Sequence, residues 1–149
     1  CQAYLLTSKG DKMMKMTGGC YCGDVRYEAD GEALMKVQCH CRECQHISGG
    51  GANLIVGVAG TSFSYSKGEP AQFSRDDIEG AVTREFCGRC GTPILSRVPQ
   101  NPGAVFVKVG SMDQPEDFGG PDVAIHTDDK YDFHVIGDGV AQFGKLPPM

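Results

Sequence analysis

Seven of the eight cysteines in this chain of 149 residues have the spacing of metal ligands. They form a CxC pair, a CxCxxC triple and a CxxC pair, while Cys1 stands apart. An odd number of clustered cysteines does not suit a disulfide framework, whereas thiolates spaced in this way bind zinc. The CxC pair is Cys20 and Cys22, the triple is Cys39, Cys41 and Cys44, and the CxxC pair is Cys87 and Cys90.

Each group can direct its sulfurs to one point. Side chains two residues apart share a face of an extended segment, so the CxC pair converges, as do the first two cysteines of the triple. A helical turn after Cys41 would bring Cys44 to the same side. Gly88 and Gly91 permit the tight backbone that lets the CxxC pair grip one ion.

Seven thiolates divide most simply into four and three. The CxC pair joined to the CxxC pair gives the closed set of four that a structural zinc requires. The triple then forms an open site with a free fourth position, as a catalytic zinc has, which makes two zinc ions per chain. Spacing leaves two alternatives open: the CxC pair serves the triple, or His40 or His46 completes the triple as a second structural site. Both histidines are predicted to point away from the metal.

The elements that must position these cysteines are short strands. The chain contains 21 glycines and few aromatic residues, which favours tight turns over long helices. Helical turns are predicted only at Arg42–Ile47 and Asp113–Phe118. These patterns indicate a single domain of mainly antiparallel β-structure. Strands are predicted at Asp24–Ala29, Leu34–Gln38, Leu54–Val58, Ser62–Ser66, Val82–Phe86, Pro93–Arg97, Val105–Val109 and Val123–His126.

Charge and hydropathy narrow the range of partners. A net charge of −5 and a pI near 5.3 argue against nucleic acid. No apolar run approaches the roughly 20 residues of a membrane span, and a cytoplasmic location is expected. Residues 1–16 are interpreted as an N-terminal extension, truncated or non-native, and residues 17–149 as the zinc-binding domain. A lipid-modified Cys1 is the alternative reading of this start, because mature lipoproteins begin with cysteine.

From about Thr17 to Pro148 the chain resembles the glutathione-dependent formaldehyde-activating enzyme family, also called the centromere protein V family. The resemblance is specific because all seven clustered cysteines occur in order within their surrounding motifs. These motifs are GGCYCG at residues 18–23 followed by Val25-Arg26-Tyr27, CHCREC at 39–44 followed by Ser48-Gly49, KGEP at 67–70, FCGRCGTP at 86–93 and GSMD at 110–113.

The resemblance implies a β-tent fold of antiparallel sheets stabilised by zinc. It implies a structural zinc on the CxC and CxxC pairs and a catalytic zinc on the triple, the second being the more easily lost. The activity that gives the family its name joins a small thiol, glutathione, to formaldehyde. The product is S-hydroxymethylglutathione, so the reaction is formally the reverse of a carbon–sulfur lyase reaction.

Candidate substrate residues surround these motifs. Arg42 and Arg89 lie beside ligand cysteines and can meet a carboxylate, while Ser48, Ser111 and Asp113 lie in loops like those of the family. Family members often have a tryptophan-histidine pair where this chain has Phe133-His134, so a pocket wall formed by that tryptophan is not carried over. His134 is a candidate proton shuttle because the ordinary pKa of histidine lies near neutrality.

Two other functions are compatible with the same cysteines. One is a non-catalytic, zinc-stabilised binding module, as the chromosome-associated relatives suggest. The other is a thiol or metal sensor, because an open triple can oxidise when its metal is lost.

Overall fold

The structure is a computed structural model that describes residues 13–148, with side chains from residue 15 onward. Cys1 and residues 1–12 of the expected N-terminal extension lie outside the described residues. Within the described range the chain forms eleven strands and one α-helix, α1 (Arg42–Ser48). The strands are β1 (Met13–Gly19), β2 (Arg26–Glu32), β3 (Met35–Cys39), β4 (Asn53–Ala59), β5 (Phe63–Lys67), β6 (Ala71–Phe73), β7 (Thr83–Phe86), β8 (Pro93–Arg97), β9 (Ala104–Lys108), β10 (Val123–Ile125) and β11 (Ala141–Gln142).

These strands form two sheets, which confirms the prediction of a mainly β domain. The smaller sheet has the order β1-β2-β5, and the larger has the order β11-β10-β3-β4-β9-β8-β7-β6. All eight predicted strands are present, with bounds that differ by a few residues, and the two predicted helical segments appear as α1 and a 3-10 turn at Pro115–Phe118. No helix in residues 13–148 is long and apolar enough to cross a membrane.

Strand β10 departs from the antiparallel pairing of the other described strands. It pairs in parallel with β3, Val123 lying opposite Val37, and in parallel with β11. The long connection from the end of β9 gives the chain room to return in the same direction, which a tight hairpin turn does not allow.

Three strands were not predicted. Strands β6 and β11 have three and two residues, too few to show an alternating pattern. Strand β1 begins at Met13, inside the segment assigned to the N-terminal extension, and pairs along its whole length with β2.

The two faces of the larger sheet carry different cores. One face packs against the smaller sheet and contributes alternate valines, such as Val105 and Val107 of β9, to a large apolar cluster that also holds Tyr27. The opposite face carries α1 over a smaller cluster that includes Val37 and Ile55. Because successive side chains of a strand point to opposite faces, the larger sheet contributes to two separate apolar clusters, one on each face.

Strand β1 crosses very close to the core at Gly18. A β-carbon at this position would collide with the hydroxyl group of Tyr27 and the backbone oxygen of Ser111. The side chains of these two residues are themselves joined in the interior, since the Tyr27 hydroxyl donates to Ser111 Oγ at 2.8 Å. This contact requires a residue without a side chain.

We expect Gly18→Ala to lower the free energy of unfolding by about 1–3 kcal/mol, because the added methyl group overpacks this crossing. Urea denaturation followed by circular dichroism measures the change. Gly51→Ala is the matched control, since a β-carbon there meets nothing within 4 Å. Equal stabilities of the two variants would contradict the packing argument.

Candidate metal centres

The CxC and CxxC pairs meet at the tips of two hairpins from different sheets. The CxC pair lies in the connection between β1 and β2, and the CxxC pair lies between β7 and β8. Their four sulfurs all lie within 4.8 Å of one another. The Sγ atom of Cys22 is 3.6 Å from that of Cys20 and 3.7 Å from that of Cys87. We call this group the four-cysteine cluster.

These separations fit a tetrahedral metal site. Zinc–sulfur bonds of about 2.3 Å in a tetrahedron place the sulfurs roughly 3.8 Å apart. A disulfide would need about 2.05 Å, and all four thiols are free. The four-cysteine cluster thus has the donor set and the spacing of a closed structural site.

Backbone N–H groups surround the sulfurs of this cluster. The Val25 N–H donates to Cys20 Sγ at 3.2 Å, and the Arg89 N–H donates to Cys87 Sγ at 3.4 Å. The Thr92 hydroxyl donates to Cys90 and lowers the pKa of that thiol to about 5. Gly91, at a φ of 81°, closes the turn that allows these contacts. Such donors stabilise thiolates, the form in which cysteine binds metal.

The triple lies on the other side of the larger sheet, where β3 runs into α1. Cys39 ends β3, and Cys41 is the N-cap of α1, its sulfur accepting from the Cys44 N–H at 3.4 Å. The three sulfurs lie within 4.8 Å of one another. Cys39 and Cys44 are buried and Cys41 is half-buried, so the group faces outward through Cys41. Cys41 and Cys44 thus form the N-terminal cap of α1 and also bring two of the three sulfurs together.

Asn53 supports the sulfur of Cys44. It lies directly across from Cys39 on β4, is buried, and donates from its side-chain amide to Cys44 Sγ at 3.4 Å. Donation by the thiols of Cys39 and Cys41, together with the Asn53 amide, holds the pKa of Cys44 well below its ordinary value. Sharing of hydrogen bonds with Cys41 and Cys44, reinforced by burial, raises the pKa of Cys39. Within the triple, Cys44 is therefore the thiol that ionises most readily.

Lys108 brings a buried positive charge to the same region. Its side chain is 4% exposed, and its Nζ atom has no hydrogen-bond partner among the described residues. Burial lowers the pKa of Lys108 to about 8, while the charges of the three cysteine sulfurs act in the opposite direction. The cation favours ionised thiols in the triple.

Neither neighbouring histidine joins the triple. The His40 ring is fully buried, accepts from the Gln38 amide at 3.2 Å and packs edge-on against His134. His46 is exposed on α1, with Nδ1 2.7 Å from the Arg42 carbonyl oxygen. Among the described residues, the triple has no fourth cysteine, histidine or carboxylate donor in its group.

Three of the predicted substrate residues lie around α1. Arg42 donates to the side-chain oxygen of Gln45, and Ser48 donates to the Gly51 carbonyl oxygen beyond the end of the helix. His134 Nδ1 accepts from the Tyr131 N–H at 3.0 Å, and its Nε2 is 2.7 Å from the Gly50 carbonyl oxygen. These partners require the neutral tautomer with the proton on Nε2.

The other predicted substrate residues lie elsewhere. Ser111 donates to the backbone oxygen of Lys108 at 2.7 Å on the side of the smaller sheet. Asp113 accepts from Arg26 Nη1 at 2.9 Å and from Thr17 at 2.8 Å. Arg89 lies beside the four-cysteine cluster and is 3.3 Å from Asp24. The structure does not bring these three side chains to the triple.

Asn53 and Lys108 were missed by the sequence reasoning, although both leave a signal. Asn53 interrupts an apolar strand, and Lys108 alternates with the buried Val105 and Val107. Each is a polar residue on a strand whose other positions are mostly buried. Such a residue needs a partner in the fold.

Comparison with known proteins agrees with these clusters. A family model described as glutathione-dependent formaldehyde-activating enzyme matches residues 15–129, a range that contains all seven clustered cysteines. A crystal structure of a Rhodobacter sphaeroides protein, a structural genomics target, superimposes with a TM-score of 0.58 at 20% identity. The alignment covers 71% of this chain and 97% of that one, which shows a shared fold.

We expect Asn53→Leu to weaken metal binding by the triple about 10- to 100-fold, because Cys44 loses the side-chain donor that supports its thiolate. Competition with a chromophoric chelator measures the affinity. The four-cysteine cluster should keep its metal in this variant. Asn101→Leu, a loop substitution distant from the triple in sequence, is the control. An unchanged affinity in Asn53→Leu would show that the amide contact has no influence.

Proposed function

This chain belongs to the glutathione-dependent formaldehyde-activating enzyme family, and from that premise we propose that it is a zinc-dependent enzyme of carbon–sulfur chemistry. The reaction joins the thiol of glutathione to formaldehyde to give S-hydroxymethylglutathione, or reverses that step. A sulfur–carbon bond forms, the carbonyl π bond opens, and the thiol proton passes through solvent to the carbonyl oxygen. The triple is the observation that supports this proposal, because it offers three free thiols and an unfilled fourth position.

The proposed zinc ions have different tasks. The four-cysteine cluster would hold one as a closed structural site, and the triple would hold the other. At the triple, zinc would lower the pKa of a substrate thiol and present it as a thiolate. The donor sets fit these roles, since four thiols fill a tetrahedral shell and three leave one position open.

Residues around the triple would stabilise its thiolates and limit the access of water. Asn53 and the Cys44 backbone N–H donate to the ligand sulfurs. The buried ammonium group of Lys108 offsets the charge of three thiolates, which exceeds that of a divalent cation by one. Val37 and Ile55 exclude water from the inner side of the site.

His134 has a positioning role in this proposal. Both of its ring nitrogens are engaged by backbone groups, which ties the segment beginning at Tyr131 to the end of α1. Gln45 makes a second connection, donating to the carbonyl oxygens of His40 and Asp129 at 2.8 and 3.0 Å. The helix that carries Cys44 is thereby held against its surroundings.

We expect Cys44→Ser to reduce bound zinc from two ions to one per chain and to abolish the acceleration of adduct formation, because only two thiol ligands remain in the triple. Exchange spectroscopy with ¹³C-formaldehyde and glutathione measures the rate above the uncatalysed reaction. Cys1→Ser, which changes a cysteine outside both clusters, should retain activity and zinc.

Retained acceleration in Cys44→Ser would contradict the catalytic role of the triple. A wild-type protein with two zinc ions and no acceleration would instead favour the non-catalytic binding module. Reversible disulfide formation within the triple under mild oxidant, coupled to zinc release, would favour the sensor.

A further inference from the structure

A pocket of about 200 Å³ opens beside α1, the helix that carries Cys44, and its lining contains none of the cysteine ligands. It lies between α1, which contributes His46 and Ile47, and the strands β7, β8 and β9. Arg84 of β7 and Lys108 of β9 contribute positive charges to its wall. This volume equals that of roughly seven water molecules at about 30 Å³ each, so it accommodates the acidic arm of a small molecule.

Lys108 reaches this pocket from inside the protein. Its ammonium group has three N–H donors, and none meets an acceptor among the described residues. A buried ammonium group without an acceptor is unusual, because buried charges are normally paired. The sulfurs of the triple act on Lys108 through their charge, but no hydrogen bond joins them to Nζ. The N–H donors of Lys108 are therefore uncommitted among the described residues.

Arg84 supplies a second, largely buried cation. Its side chain is 14% exposed, and its Nη2 atom lies 3.5 Å from a carboxylate oxygen of Glu43, whose own side chain is half exposed. Its Nη1 atom donates to Ser96 at 3.1 Å. These two contacts account for two of the five N–H donors of the guanidinium group.

Strand register places the two cations on the same face of the larger sheet. Arg84 lies opposite Ser96, and Ser96 lies opposite Phe106, which precedes Lys108 by two residues on β9. On the other side of Lys108, Ile55 is its direct partner and lies two residues from Asn53. A path along one face thus connects Arg84, Lys108 and the triple.

One acidic residue, Glu85, also lines the pocket. Glu85 adjoins Arg84, but its carboxylate accepts from Arg97 at 2.5 Å, Tyr65 at 2.6 Å and Gln72 at 3.0 Å. Those partners satisfy the charge of Glu85. The lining thus holds two cationic side chains, Arg84 and Lys108, against one carboxylate, that of Glu85, which is already paired with Arg97.

We propose that this pocket binds a carboxylate of the thiol substrate, with Lys108 and Arg84 as its anchors. This proposal rests on the proposed function, because it places the substrate sulfur at the triple and its acidic arm in the pocket. Guanidinium and ammonium groups both form charge-assisted hydrogen bonds to carboxylates, and glutathione carries two carboxylates. The enzyme thereby selects an anionic thiol over a neutral one.

Isothermal titration of the zinc-loaded full chain with S-methylglutathione tests the anchor separately from thiol chemistry, because the capped sulfur has no proton to lose. We expect the free acid to bind more tightly than its diethyl ester. Lys108→Met and Arg84→Gln should each weaken binding of the acid about tenfold or more, and binding of the ester less than about twofold. Lys67→Met and Arg75→Gln, which change exposed residues, should match the wild type.

Lys108→Met keeps the apolar stem and removes a buried charge, so a thermal unfolding transition no lower than that of the wild type is expected. Equal binding of acid and ester by the wild type, or equal loss of both in Lys108→Met, would overturn the proposal. Tighter binding of inorganic phosphate than of S-methylglutathione, with the same dependence on Lys108, would overturn the assignment to a carboxylate.

A separate measurement distinguishes failure of this proposal from failure of the proposed function. Glutathione added to protein whose triple is loaded with cobalt should change the visible absorption if a fourth thiolate binds. An unchanged spectrum would contradict thiol activation at the triple, while binding of S-methylglutathione that depends on Lys108 would still show that the pocket takes an acid.

Discussion

The meeting of four thiols from two hairpin tips is the constraint on which the rest of the structure depends. It joins the turn of the smaller sheet to a turn of the larger one across 65 residues of sequence, from Cys22 to Cys87. Cys20 and Cys87 are buried among apolar side chains, where neighbouring thiolates without a cation would repel one another. A bound divalent cation would remove that repulsion and close the long loop at the same time, so metal binding and folding are expected to be coupled.

The second cluster depends on the larger sheet, which the first cluster helps to hold in place. The sheet presents valines to one core and presents Cys39, Asn53 and Lys108 to the opposite side, where α1 adds the remaining sulfurs. The two clusters consequently differ in kind. Backbone N–H groups surround the four-cysteine cluster, whereas the triple also has a side-chain amide donor and a buried cation, Lys108, that lines a pocket beside α1. A site with three ligands, buried charge and an adjacent opening is suited to binding a further molecule.

Most of the strands can be predicted from local sequence. Alternation of apolar and polar residues, bounded by turn residues, indicates a strand whichever partner it pairs with. The eight predicted strands and the start of α1 at Arg42 depend on such local information. Parallel pairing of β10 could not be predicted in this way, since it depends on where a long connection returns. The grouping of the cysteines was anticipated from parity and from the family resemblance. The proximity of Arg84 and Lys108 was not predicted, because it arises from the register of β7, β8 and β9.

The most direct test of this account is the zinc content of freshly purified protein before and after brief exposure to a mild chelator. The account predicts two zinc ions per chain, of which one leaves readily while circular dichroism shows that the β-structure persists. The ion that remains should belong to the four-cysteine cluster, whose ligands close the shell. A single zinc that resists removal, or loss of both ions together with unfolding, would contradict the division into a structural centre and an open reactive one.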